Sequence, residues 1–544
     1  MRGMFCAAIS RLGRRPVLVA GLLFAAGAAF TALPALRYGP PLPALHDEQA
    51  NLFIGETLAR GRLTNDPPPG PPEYYQTFHE FITPRYVAKF PPGPGAALAL
   101  GIWLGHPIIG IWIVNGLWAL ALYWMLRAAA PPGWALGGAL AAVVGYGAMS
   151  YWGYSYWGGS VLALGGTLAF GGALRCWRKR GSFVTSAAWA GVGCGMMALT
   201  RPLDGFIFAL GPAAMIFGAA IRDSRTGRGK SPWPGLLAFG LLAAFGVALM
   251  LGYNVATTGS AWVFAHRLYD RTHVPGVVLF VWEKPAPDPP GLPDYLAGYE
   301  KEYASNMSAD PLTARQYFEN LRMFASAQFR FLFPPWIWPL AAVGLAGAFW
   351  RRDRRARAAL LILLFLALPL LTLRFYGFAH YAAAWTAPAL LLIVQGARRW
   401  RAAWRGVFPC LGCVACVLLV SWPVAATARE MLRGYPQWLS YPWVYDREHT
   451  RQDLADHARA TGRKQLALVV YPQDHDQNAE WVYNSPDPAA QGVLWLRSLG
   501  PARVAELAHF FPGYDEWFVY VKADGRIDRL NPVQPAVAPP ATKD

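Results

Sequence analysis

This chain predicts a mainly α fold, a polytopic transmembrane helical bundle with a small C-terminal α/β module. Three observations lead there. Of its 544 residues, 54% are hydrophobic and only 15% charged, where a soluble domain carries about 25% charged residues. Apolar runs recur at about 20 residues, the length that crosses a bilayer. Arg and Lys gather in short loops between those runs, as membrane topology requires on one side. The net charge of +17 therefore reflects topology. With no nucleic-acid-binding signature beside it, that partner is excluded.

The first apolar run is Pro16–Leu36, preceded by Arg11, Arg14 and Arg15. It is longer than the apolar part of a signal peptide, so an uncleaved helix is predicted. Later runs fall at Pro107–Leu126, Trp134–Ser150, Ser160–Trp177, Ser186–Leu199, Gly205–Ile221 and Gly235–Tyr253. Four more follow at Pro335–Trp350, Ala358–Leu373, Tyr381–Gln395 and Val407–Ala426, about eleven in all. A short interfacial helix over Pro94–Gly105, broken at Gly105-His106-Pro107, keeps the sidedness consistent.

Basic clusters at Arg175/Arg178/Lys179/Arg180, Arg222/Arg225/Arg228/Lys230, Arg351/Arg352/Arg354/Arg355/Arg357 and Arg398/Arg399/Arg401/Arg405 fall on the side of the N-terminus. That side is read as cytoplasmic, in a plasma (inner) membrane. The exterior then holds loop 37–93, loop 254–334, Arg201 and Asp204, Arg374–His380 and the tail. Residues 1–426 read as the membrane domain, 427–530 as a small extracytoplasmic α/β domain and 531–544 as a disordered tail. In the tail domain Lys464–Tyr471, Gly492–Leu496 and Trp517–Val521 read as strands, with helices at Thr450–Ala460 and Ala502–Phe511.

Cys6, Cys176, Cys194, Cys410, Cys413 and Cys416 mostly lie in or beside apolar runs, where small residues let helices pack closely. Neither a disulfide framework nor a metal site is read from them. Asp474-His475-Asp476 reads as a solvated loop.

The chemistry-bearing residues sit in exterior loops. Asp47 and Glu48 open a helix that Gly61 stops. Asp47 either caps that helix or acts as general base on an acceptor hydroxyl. Arg85 and Lys89, with Tyr86 between them, precede Pro91-Pro92. They are either interfacial anchors or cations that hold a leaving phosphate. Arg201 either pairs locally with Asp204 or meets a lipid phosphate, as does Arg374. Tyr376 and His380 follow Arg374 as substrate-binding candidates, though His380 equally suits a helix end. Tyr154 and Trp157 lie in an uncharged aromatic loop, either a platform for sugar rings or part of an interfacial belt.

The pattern resembles the GT-C glycosyltransferases, specifically the bacterial protein-mannosyltransferase-like and aminoarabinose-transferase-like branch (glycosyltransferase family 39-like). The resemblance rests on Asp47-Glu48 after the first helix, Lys89-Phe90-Pro91-Pro92, Thr200-Arg201-Pro202 and the late Arg374–Tyr381 segment, and covers Arg11–Arg405. It implies a polyprenyl-phosphate sugar donor, an exterior active site and inversion at the anomeric carbon. It also implies Asp47 as catalytic carboxylate and Lys89 as donor-phosphate ligand. The acceptor would be an extracytoplasmic glycan, lipid or protein, with membrane lipid around the bundle. No cofactor is assigned, and a divalent metal is left open. Two features depart from the pattern: the second exterior loop has no acidic residue, and Phe90 separates Lys89 from the prolines. The competing classes are a flippase for lipid-linked glycans and a non-catalytic envelope scaffold. A transporter would place ionisable residues at midplane in repeated halves, a pattern this chain lacks.

Overall fold

The computed structural model describes residues 16–148, 152–226, 231–287, 312–350, 353–406, 408, 410–419, 421 and 441–533. Cys6, Arg11, Arg14, Arg15, Tyr151, Arg228, Lys230, Arg351, Arg352, residues 288–311 of loop 254–334 and the tail beyond 533 lie outside these. Two compact units divide the chain: Met1–Pro41 with Phe90–Tyr435, and Leu42–Lys89 with Pro436–Asp544.

The first unit is a mainly helical, multi-pass membrane bundle. Among the described residues six helices are long and apolar enough to cross a membrane: Val17–Tyr38, Pro107–Arg127, Gly159–Arg178, Pro202–Thr226, Trp233–Thr258 and Arg354–Thr372. A seventh crossing arises if Ala314–Leu332 and Pro335–Phe349, bent by 66°, count as one. The eleven crossings read from sequence are not reached by this criterion. The Trp134–Ser150 run becomes an eleven-residue helix, Pro132–Ala142, followed by a π-helical turn. The Ser186–Leu199 run lies in a helix of sixteen residues, Phe183–Ala198. The Tyr381–Gln395 run starts in a 3-10 segment, Ala379–Trp385, and continues into Thr386–Trp404. The Val407–Ala426 run is described only around the short helix Cys410–Leu419.

The predicted short helix is present as Pro92–Trp103, twelve residues long. A Cβ on Gly93 would lie 2.6 Å from Leu199 O and Thr200 Oγ1, and the Gly93 N–H donates to Leu199 O at 2.7 Å. Glycine is thus required where this helix starts against the chain that enters Pro202–Thr226. Gly158 serves the same approach, since a Cβ there would lie 2.5 Å from Pro94 Cγ.

The second unit is α/β. Strands β1 (Glu80–Phe81) and β2 (Val87–Ala88) form a two-residue hairpin, Glu80 opposite Ala88 and Phe81 opposite Val87. Strands β3 (Gln465–Val470), β4 (Val493–Arg497), β5 (Asp515–Val521) and β6 (Ile527–Pro532) form one sheet in the order β4-β3-β5-β6. β3 is parallel to both β4 and β5, and β6 is antiparallel to β5. Helices Pro442–Thr461 and Pro501–Phe510 accompany it. Leu454, Ala467, Val469, Trp481, Trp495 and Val519 form its core. β6 reaches Asn531 and Pro532, the first residues of the segment expected to be tail.

This unit joins the first exterior loop to the tail, which the sequence reading assigned to different domains. Arg62 pairs with Asp487 at 2.6 Å, Arg503 with Glu73 at 2.8 Å, and the Tyr74 hydroxyl donates to Arg503 O at 3.0 Å. The buried Arg447 guanidinium donates to Pro43 O and, at 2.9 Å, to Glu480 O.

Candidate functional site

In the membrane unit, three distant segments meet at the start of the Pro202–Thr226 helix. Arg201 precedes Pro202, whose fixed φ suits a first helical residue. Its Nε donates to Asp204, three residues on and 2% exposed. The guanidinium Cζ lies 3.9 Å from the Tyr381 ring centroid, a cation–π contact. Tyr381 in turn meets His380 edge-on at 4.5 Å, and His380 meets Trp157 edge-on at 4.6 Å. The Tyr376 hydroxyl donates to Tyr381 O at 2.9 Å. Gln328, on Ala314–Leu332, positions this loop by donating to Tyr376 O at 2.7 Å and Phe378 O at 2.9 Å. Burial first, and then the Arg201 charge, hold His380 well below its ordinary pKa. It is neutral near pH 7 and can both donate and accept.

The arrangement offers a half-buried guanidinium, a neutral imidazole and aromatic faces at the end of apolar helices. Such a set can hold a phosphate oxygen and stack on an attached ring. The structure thus brings together Trp157, Arg201, Tyr376 and His380 among the sequence candidates. It spends the other two on architecture. Tyr154 is buried and its hydroxyl donates to Gly39 O at 2.7 Å, anchoring the chain that leaves the first helix. Arg374 is buried, with Nη2 donating to Glu283 O at 2.7 Å and its N–H to Leu279 O at 3.0 Å. Asp204, Tyr381 and Gln328 complete the cluster and were not singled out as site residues. The Arg201-x-x-Asp204 spacing was the available signal for the first.

In the second unit, Asp47 and Glu48 part company. The helix runs His46–Ala59 with Leu45 at its N-cap. Asp47 therefore lies inside the first turn, half-buried, where the helix dipole favours a carboxylate. Glu48 is fully buried and reaches back to accept from Ala44 N at 2.9 Å and from Leu45 N, at the N-cap, at 3.4 Å, the carboxylate half of a capping box. Its carboxylate serves the fold. Lys89 is buried at the end of the hairpin, its N–H donating to His79 O at 2.9 Å. Arg85 is exposed at the hairpin tip. Tyr86 is buried: its ring packs on Phe53 at 4.5 Å and its hydroxyl donates to Glu80.

Behind these lies a buried ionisable group. His46 Nδ1 is 2.6 Å from the Tyr483 hydroxyl, and burial, reinforced by the Lys89 charge, lowers its pKa to about 4. Burial pushes the Glu80 carboxyl up to about 8, and among the described residues its buried Oε2 has no partner. Glu480 is held low by Arg497, the Tyr471 hydroxyl and the Val482 N–H, which together outweigh its burial. Among the described residues no three His, Cys, Asp or Glu side chains gather as a metal site.

No protein-family model and no curated protein matches this chain. Among solved structures it is similar to the oligosaccharyltransferase of Archaeoglobus fulgidus in its apo form, with 13% identity and a TM-score of 0.44. The match covers 84% of this chain and 62% of that one. It is also similar to the A. fulgidus oligosaccharyltransferase AglB in complex with an inhibitory peptide and a dolichol-phosphate, with 14% identity and a TM-score of 0.39 over 83% and 62% of the two chains. A third structure of the A. fulgidus enzyme, tethered to an acceptor peptide, gives 15% identity and a TM-score of 0.41 over 83% and 62%. The chain thus spans about three-fifths of the length of these structures.

Proposed function

We propose that this protein is a membrane glycosyltransferase that moves a sugar from a polyprenyl-phosphate donor to an acceptor outside the cytoplasm. The observation that carries the reading is Arg201: a half-buried guanidinium set over Tyr381, beside the His380–Trp157 pair, at the end of apolar helices. A lipid-linked phospho-sugar presents the matching chemistry, with an apolar chain, a phosphate and a ring.

In this reading Arg201 holds the donor phosphate and Asp204 fixes the guanidinium. His380, Tyr381 and Trp157 position the sugar. The acceptor oxygen attacks the anomeric carbon from the face opposite the phosphate, and Asp47, in the second unit, is the candidate general base for its proton. The glycosidic bond forms with inversion, and the polyprenyl phosphate leaves as an anion that needs no general acid. In the second unit, Lys89 is the candidate cation for a phosphate in its own right. The N-terminus and the arginine-rich loops face the cytoplasm, and the second unit is extracytoplasmic.

Purified protein supplied with radiolabelled polyprenyl-phosphate sugars and envelope extracts tests this. Transfer by wild type, lost in Lys89→Ala while the variant stays folded, supports the reading. Well-folded wild type that consumes no donor from the panel moves the flippase ahead.

A further inference from the structure

The opposite end of the membrane unit carries a second feature, independent of the transfer reaction. Near the ends of Gly159–Arg178 and Thr386–Trp404, and at the start of Arg354–Leu364, four guanidiniums converge. Arg178 lies within electrostatic range of Arg355, and Arg398 within range of Arg355, Arg399 and Arg178. Asp353 is the carboxylate near them, and Arg399 already occupies it at 2.9 Å.

Topology explains only some of these charges. Arg354 and Arg357 are exposed on one stripe of their helix with Leu361 and Leu364, and satisfy the demand for cations at the membrane edge. Arg355 stands on the inward face with Ala359 and Ile362, which are 0% and 1% exposed. Helix capping explains another part. Arg178 Nε donates to Ala128 O at 3.2 Å, and Arg398 Nη1 to Ala129 O at 3.2 Å and Gln395 Oε1 at 2.7 Å. Those bonds use one nitrogen of each. Among the described residues the half-buried Arg355 guanidinium has no acceptor at all.

Like charges held together in a half-buried place need an anion among them. We infer that Arg178, Arg355 and Arg398 bind a phosphate group, that of an anionic phospholipid headgroup. The guanidinium fork matches phosphate oxygens. Basic pockets between membrane helices hold acidic headgroups, and the cluster stands where Gly159–Arg178 ends and Arg354–Thr372 begins, two helices long and apolar enough to cross a membrane, so acyl chains can run along their lipid-facing sides. A soluble phosphate shares the anion but not that anchorage.

The test uses the full chain in neutral detergent. Phosphatidylglycerol is titrated with bound lipid counted by native mass spectrometry, and thermal unfolding is followed in parallel. Phosphatidylcholine and inorganic phosphate form the comparison arms. Wild type should retain phosphatidylglycerol over phosphatidylcholine, and millimolar phosphate should not displace it. Arg355→Gln should weaken binding about fivefold, and exposed Arg354→Gln should leave it unchanged. Without lipid, Arg355→Gln should melt at or above the wild-type temperature, since it relieves repulsion. Equal binding by wild type and Arg355→Gln overturns the proposal, as does displacement by phosphate. A lower melting temperature of lipid-free Arg355→Gln would mean that the residue serves the fold, and would overturn it too.

Discussion

In the membrane unit, the charged candidate Arg201 stands half-buried among aromatic rings with one carboxylate beside it. In the second unit, Glu48 and Tyr86 are buried in structural bonds, and Asp47 alone among its acidic candidates is half-buried. The difference teaches that adjacency in sequence is a poor guide to shared work. Asp47 and Glu48 are neighbours with separate tasks, whereas Trp157, Arg201 and His380 come from segments far apart and meet.

The contrast can be broken at several points. The largest effect is expected at Arg201. Arg201→Gln leaves the Asp204 charge buried without its cation, which should cost about 3 kcal/mol and abolish transfer. Adding Asp204→Asn should restore the melting temperature while transfer stays about 100-fold or more below wild type. Recovery of both together would reduce the pair to a structural one.

Asp47→Asn comes next. Transfer should fall about 100-fold with the melting temperature unchanged, since a general base contributes at least that factor. Transfer at the wild-type rate would make Asp47 only a favourable charge in the first helical turn.

The buried ionisable groups of the second unit give opposite pH dependences. The Glu80 value is raised from 4.5 to about 8, so its contribution to stability is full below pH 4.5 and is lost as pH rises towards 8. The His46 value is lowered from 6.5 to about 4, so its contribution is full above pH 6.5 and is lost as pH falls towards 4. Melting temperatures across pH 4 to 8 should show Glu80→Gln flattening the alkaline limb and His46→Gln the acidic one. A variant that flattens neither limb would deny that group its burial penalty.

The smallest effect belongs to Glu48. Glu48→Ala should cost about 1 kcal/mol through the lost cap, with transfer per folded molecule unchanged. Lost transfer at unchanged stability would return Glu48 to the chemistry and erase the contrast with Asp47.

The sequence made the bundle legible because hydropathy and arginine placement act over whole helices. Arg201 and Arg374 stood out as cations in loops with few charges, and His380 as an imidazole beside two tyrosines. The strands Gln465–Val470 and Asp515–Val521 were legible as short apolar runs. Other features had no local signal. The His46–Tyr483 contact joins residues 437 positions apart, so no window of sequence could show that loop and tail share one unit. The hairpin strands are two residues each, too short for alternation to appear. Leu45 at the N-cap carries no capping side chain, which hid where the helix begins and hence what Glu48 does. Arg374 and Tyr154 had the right chemistry in the right loops, but their nearest carbonyls use them instead.

The most direct test of the central claim is single-turnover release of polyprenyl phosphate, coupled to acceptor glycosylation, by wild type and by the Arg201→Gln/Asp204→Asn double variant. The account predicts release and transfer in step for wild type, an inverted anomeric centre in the product, and loss of both in a double variant that melts like wild type. Undiminished release by that variant, or a product of retained configuration, would contradict it.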